Sequence, residues 1–130
     1  MNKKILCIED NNTNRILVSR IVDAEGHELL SAENGLVALE LLQTEMPDLI
    51  LLDINMPGIN GLELAGRIKA DSRLRHIPLI ATTANVLVGD RERCLEAGCD
   101  DYLAKPLDIR KLRELMRFYL AKADSEKLSS

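Results

Sequence analysis

The chain is short of aromatic rings, basic charge, paired cysteines and long apolar runs. Two tyrosines, one phenylalanine and no tryptophan among 130 residues leave little to sandwich a flavin ring. A net charge of −4 provides no basic field to gather phosphates, so a nucleic-acid surface is not expected. The longest apolar stretch is interrupted by Asp53, well short of the ~20 residues a membrane span needs. The amino terminus, Met1-Asn2-Lys3-Lys4, carries no signal-peptide pattern. Three cysteines (Cys7, Cys94, Cys99) are an odd number without ligand spacing, which argues against a disulfide framework. Cys7 lies in an apolar run and reads as a buried small hydrophobe. These absences predict one soluble, cytoplasmic domain, long enough to bury a core without staples.

What is present is a regular alternation of two patterns. Strand-like segments are expected at 4–9, 28–31, 49–53, 77–82 and 101–104, and helix-like segments at 12–25, 36–45, 62–71, 87–97 and 109–121. Gly26 and Gly98 follow the first and fourth helices as C′ residues should. Asn34-Gly35 breaks the chain before the second helix. Ile109, Leu112, Met116 and Leu120 mark an apolar stripe at helical spacing in the last. Five βα units predict an α/β fold: a doubly wound, five-stranded parallel sheet covered on both faces by five helices. Periodicity alone leaves the strand order open. The domain is expected to span 1–123, followed by a polar, frayed tail over 124–130.

The chemistry gathers at strand ends. Leu49-Ile50-Leu51-Leu52 reads as a core strand, and Asp53 ends it before the turn Asp53-Ile54-Asn55-Met56-Pro57-Gly58. That position places a carboxylate where open α/β sheets form their ligand crevice. The first strand ends in Glu9-Asp10, so three acidic groups can share one sheet edge. Like charges that close need a proton or a cation between them, and Mg²⁺ suits a site of carboxylates, a backbone carbonyl and waters. The fourth strand ends in Thr82-Thr83-Ala84 and the fifth in Lys105-Pro106. An acid pair, a central aspartate, a hydroxyl and an ammonium are the groups that phosphoryl transfer to a carboxylate would use.

These blocks resemble the receiver domain of two-component response regulators. The resemblance runs from about Lys3 to Ala121 and rests on Ile8-Glu9-Asp10-Asn11, Asp53-x-x-Met56-Pro57-x-x-x-Gly61, Thr83-Ala84, and the run from Ala97 to Pro106 that ends in Lys105-Pro106. It implies a flavodoxin-like fold with strand order 2-1-3-4-5. It implies Asp53 as phosphoacceptor, a Mg²⁺ site of Glu9, Asp10, Asp53 and the Asn55 carbonyl, and Thr83 and Lys105 as the hydroxyl and cation that meet the phosphoryl group. Tyr102 matches the aromatic that swings inward when Thr83 moves, and Pro106 matches a proline after a cis peptide bond. Thr82, its neighbour's opposite on the strand, is not the motif hydroxyl. Asn55 and Asn85 stand where the family tunes hydrolysis of the acyl phosphate. The implied partners are a sensor histidine kinase or histidine phosphotransfer protein and a downstream protein target, with the chain a monomer or weak dimer. The implied role is a phosphoacceptor signalling protein, not an enzyme, either stand-alone or the receiver of a hybrid kinase.

Other residues read mainly as structure. His27 and His76 lack the acidic helical setting of a kinase histidine, and Asp100-Asp101 reads as a strand start. The apolar excess of the first helix, Ile16-Leu17-Val18 with Ile21-Val22, is more than one core stripe needs, so some of it is expected to be exposed as a docking face for a phosphodonor, testable at Leu17 or Val18, with Asn11, Asn14 and Arg15 at its edge. Arg91, Arg110, Lys111, Arg113 and Arg117 suggest a basic output face. Two alternatives stand beside the receiver reading: a degenerate receiver-fold interaction module, and a small Mg²⁺-dependent phosphohydrolase. The second would want a carboxylate where Asn55 stands.

Overall fold

A computed structural model describes residues 2–56, 60–84 and 90–129, with backbone alone at 90 and 123–129. Part of the turn after Asp53, Asn85 and the first residues expected in the fourth helix therefore lie outside it. Five strands, β1 (Lys4–Ile8), β2 (Glu28–Ala32), β3 (Leu49–Asp53), β4 (Leu79–Thr83) and β5 (Asp101–Ala104), alternate with α1 (Asn12–Ala24), α2 (Gly35–Thr44), α3 (Gly61–Ala70), α4 (Asp90–Glu96) and α5 (Ile109–Ser129). All pairings are parallel and the order is β2-β1-β3-β4-β5. The strand order reverses between β1 and β3, which leaves the crevice at the carboxyl ends of those two strands.

The pleat sorts side chains into two cores. Leu6, Ile8, Ile50, Leu52, Leu79 and Ala81 face α2, α3 and α4 through Ala38, Leu42, Leu64, Ile68 and Cys94. Ile5, Cys7, Leu49, Leu51, Ile80 and Leu103 face α1 and α5 through Val18, Ile21, Val22, Leu112, Met116 and Tyr119. The four apolar residues of β3 are at most 2% exposed, and each contributes about 1.5–3 kcal/mol by leaving water. Such two-sided burial is why the strand reads as a continuous apolar run.

Helix starts are set by side-chain caps. Asn11, Asn34 and Asn60 accept from Asn14, Val37 and Leu62 N–H at 3.0, 2.9 and 2.8 Å, and Asp108 accepts from Arg110 N–H at 2.9 Å. Gly26 and Gly98 have φ of +79° and +104°, the left-handed conformation of a C′ residue. Gly61 has a steric reason instead. A Cβ there would overlap the Ile54 backbone and sit 2.9 Å from the Asp53 carbonyl oxygen, so only glycine lets α3 start against the end of β3.

Three expectations are corrected. The helix expected to stop at 121 continues to Ser129 through the segment read as a tail, because Ala121 to Leu128 contains no glycine or proline to end it. Ile109 is 46% exposed on the first turn of α5, and the buried stripe of that helix is Leu112, Met116, Tyr119 and Leu120. Strand β4 begins at Leu79, not at 77, and extends to Thr83, since Pro78 has no N–H to give a ladder.

Candidate functional site

The carboxyl ends of β1, β3 and β5 bring Glu9, Asp53 and Lys105 together from positions far apart in the chain. The Lys105 ammonium lies 2.9 Å from Asp53 Oδ2 and 3.2 Å from Glu9 Oε2. Asp53 and Glu9 are 2% and 3% exposed. The Asn11 N–H donates to Glu9 Oε1 at 3.1 Å, and the Asn55 N–H donates to Asp53 Oδ1 at 2.9 Å. Lys105 precedes Pro106 through a cis peptide bond.

Two buried carboxylates facing one ammonium leave the crevice short of positive charge. Burial, and then a hydrogen bond with Asp53, push the Glu9 carboxyl up to about 7, against the opposing pull of the Asn11 N–H and Lys105. Burial alone would lower the Lys105 ammonium, but its bonds to Asp53 and Glu9 outweigh this and hold it protonated. Asp10 stands exposed at the rim, and carboxylate oxygens of Glu9, Asp10 and Asp53 lie within 4.8 Å of one another. Three oxygen donors around a charge deficit fit a hard divalent cation.

Thr83 is fully buried at the end of β4, one residue beyond Thr82, which is the register partner of Asp53. The Thr83 carbonyl accepts from Lys105 N–H at 2.8 Å, so the hydroxyl-bearing residue and the cation are tied through the backbone. Tyr102 is half-buried in β5 and packs against the core shared by α2, α3 and α4.

Several contacts were not legible in the sequence. Arg15 donates from its guanidinium to the Glu9 carbonyl at 3.3 Å. Asn55 Oδ1 accepts from Ala84 N–H at 2.7 Å. The second joins segments 29 residues apart that only the fold brings together. Asp100 does mark a strand start, its carboxylate accepting from Leu79 N–H at 2.8 Å and Lys69 Nζ at 2.9 Å.

Two surface expectations change. Val18 is 2% exposed and belongs to the α1–α5 core, while Leu17 is half-buried against that core and Ile16 is 47% exposed. Arg117 is paired with Glu25 at 2.6 and 3.0 Å, and Arg113 lies 3.7 Å from the same carboxylate. Residues four apart share a helix face, and this one looks toward the end of α1. The two arginines therefore brace α5 against α1 and do not join an output face.

A doubly wound sheet with a buried aspartate, glutamate and lysine at the carboxyl ends of its strands is the architecture of a receiver. Residues 5–117 match the response regulator receiver domain family, and the chain belongs to it. It is 42% identical over 123 residues to the polar-differentiation response regulator DivK of Brucella anthropi, covering 95% of this chain and all of that protein. Among solved structures it resembles the receiver domain of a sensor histidine kinase from Pseudomonas aeruginosa PAO1, in which a magnesium ion is coordinated in the active-site cleft. That likeness has a TM-score of 0.84 at 33% identity, over 93% of this chain and 99% of that one. A response regulator from Chloroflexus aurantiacus matches with a TM-score of 0.88 at 27% identity, over 93% and 99% of the two chains. The protein works in phosphorelay signalling.

Proposed function

We propose that Asp53 is the phosphoacceptor of this relay. The observation that carries the reading is the buried Asp53 carboxylate paired with Lys105 at 2.9 Å and sharing its crevice with Glu9 and Asp10. An Asp53 oxygen attacks the phosphorus of a phosphohistidine on a sensor histidine kinase or phosphotransfer protein. The new O–P bond forms as the P–N bond breaks, and the imidazole leaves with the electron pair and takes up a proton. Lys105 meets the charge on the phosphoryl oxygens, and the Thr83 hydroxyl donates to one of them. Glu9, Asp10, Asp53 and the Asn55 carbonyl would hold Mg²⁺, which supplies positive charge to the same oxygens. The chain acts as a phosphoacceptor in the cytoplasm and not as an enzyme on other substrates.

The added charge biases a two-state element. Thr83 shifts, Tyr102 moves into the space it leaves, and the α4–β5–α5 face changes shape for a downstream protein. A groove of about 640 Å³ already lies on that face between β5 and α5, lined by Tyr102, Lys111, Leu115 and Phe118.

The test is incubation with Mg²⁺ and acetyl phosphate, read by intact mass, with Asp53→Asn as control. One labile phosphoryl group, absent from the control, is the expected result. No modification in either protein would support a receiver-fold interaction module. Sustained turnover of a phosphoester would support a phosphohydrolase.

A further inference from the structure

Asn55 makes a connection that phosphoryl transfer does not use. Its N–H donates to Asp53 Oδ1 at 2.9 Å, while its side-chain oxygen accepts from Ala84 N–H at 2.7 Å. The other Asp53 oxygen, Oδ2, is held by the Lys105 ammonium at 2.9 Å, and the Lys105 N–H donates to the Thr83 carbonyl at 2.8 Å. The Thr83 carbonyl and the Ala84 N–H belong to one peptide unit. In a trans peptide these two groups point in opposite directions, so that single plane is gripped from both sides. Each grip leads back, through one residue, to a different oxygen of the same carboxylate. The five residues close a ring: Asp53 Oδ1, Asn55, the Thr83–Ala84 peptide, Lys105, Asp53 Oδ2.

We propose that Asn55 is a positioning residue that reads the state of the Asp53 carboxylate and locks the Thr83–Ala84 peptide in its resting orientation. The proposal rests on Asp53 being the acceptor. In the resting protein Asp53 Oδ1 is an ionised acceptor, which makes a stronger hydrogen bond than a neutral one. A phosphorylated aspartate, as an acyl phosphate, offers a weaker acceptor there and adds three strong acceptor oxygens beside the donors that held it. Asn55 then turns with its N–H, its side chain leaves Ala84, and the Ala84 N–H becomes available to the new oxygens. The peptide is released on one side while Lys105 still holds the other, which converts a charge at Asp53 into a rotation at Thr83. The side chain must be a short acceptor for this. Alanine and serine cannot span to Ala84, whereas aspartate keeps an oxygen in the same place.

The ring can be tested without hydrolysis, using beryllofluoride with Mg²⁺ as a non-transferable phosphoryl mimic, so any effect of Asn55 on water attack drops out. Ala84 is exposed, so in the unliganded protein its amide owes its exchange protection to Asn55. By NMR, Asn55→Ala and Asn55→Ser should lose that protection and shift the Ala84 amide resonance, and Asn55→Asp should restore protection. All three leave the Asn55 backbone carbonyl in place. Asn55→Ala and Asn55→Ser should also bind beryllofluoride roughly two- to tenfold more tightly, the range that corresponds to one hydrogen bond no longer broken on switching. Unchanged Ala84 protection in both variants, or unchanged or weaker beryllofluoride binding, would overturn the proposal while leaving Asp53 as acceptor. A wild-type protein that ignores beryllofluoride would overturn the acceptor reading and the switch with it, and the Ala84 amide would then report a purely structural strap.

Discussion

Replacing Glu9 with glutamine should make the metal-free protein more stable, in a pH-dependent way. Glutamine has the shape of a protonated glutamate and can still donate to Asp53, so Glu9→Gln freezes the form that burial and Asp53 favour. The ordinary carboxyl value of 4.5 rises to about 7 in the folded chain. Each tenfold difference in proton affinity is about 1.4 kcal/mol, so ionising Glu9 costs the folded state at most about 3.5 kcal/mol. The sign follows from proton counts. Between 4.5 and 7 the folded protein binds a proton at Glu9 that the unfolded chain has released, so wild-type stability falls as pH rises through this window. Glu9→Gln has no such loss. Urea unfolding of the two proteins in chelator should give equal stability near pH 4.5, a gap that opens to pH 7, and a plateau of about 1–3 kcal/mol in favour of the variant at pH 8. Saturating Mg²⁺ should close or reverse the gap, since the variant has lost a ligand carboxylate. A variant less stable than wild type at pH 8, or a gap that ignores pH, would refute the charge-deficit account of the crevice.

Two further substitutions test the architecture around the site. On α1, Ile16→Asp should change stability by less than about 0.5 kcal/mol yet slow phosphotransfer from a cognate kinase, leaving acetyl phosphate labelling unchanged. Val18→Asp should instead destabilise by about 3–5 kcal/mol because it buries an unpaired charge, which thermal melts and paired transfer assays would separate. Gly61→Ala should cost about 1–3 kcal/mol by overpacking, since its Cβ meets the Ile54 backbone beside the Asp53 carbonyl. Acetyl phosphate labelling should fall more than stability does, and an equal Tm with intact labelling would contradict the close approach.

The sheet and most of the site were legible in the chain because both rest on local pattern. An apolar run buried on two faces announces β3, and a carboxylate directly after it has few structural excuses. Glu9, Asp53 and Lys105 are recognisable because each terminates a strand of a parallel sheet, and parallel strands bring all their ends to one edge. Which apolar residues of α1 face solvent was not legible for a related reason. Ile16, Leu17 and Val18 are equally apolar, and only the orientation of the helix on the sheet decides that Val18 is core and Ile16 is solvent-facing. The Glu25–Arg117 brace spans 92 residues and the Asn55–Ala84 bond spans 29. Neither has a periodic signature, because each depends on the register of two elements and not on the composition of one. The extension of α5 shows the reverse: the polarity of residues 124–130 suggests a frayed tail, yet the helix continues to Ser129 because no glycine or proline stops it.

The charge balance of the crevice explains why one site can be both stable at rest and ready to react. Two buried carboxylates face a single ammonium, with Asp10 exposed beside them, so the crevice holds more acid than Lys105 can neutralise and the proton affinity of Glu9 is raised. Adding a phosphoryl group to Asp53 raises the negative charge again, and a buried site cannot accept that without a cation. The deficit therefore selects the conditions of the reaction. A proton satisfies Glu9 but brings one charge, and the carboxyl it occupies is lost as a ligand. A divalent ion brings two charges and uses the same oxygens. Proton and metal must then compete for Glu9, so metal affinity should fall as pH drops below about 7, and labelling by acetyl phosphate at limiting Mg²⁺ should fall with it. In Glu9→Gln the proton no longer competes, so that pH dependence should flatten while overall affinity is lower. A wild-type profile as flat as that of the variant would place the competing proton somewhere other than Glu9.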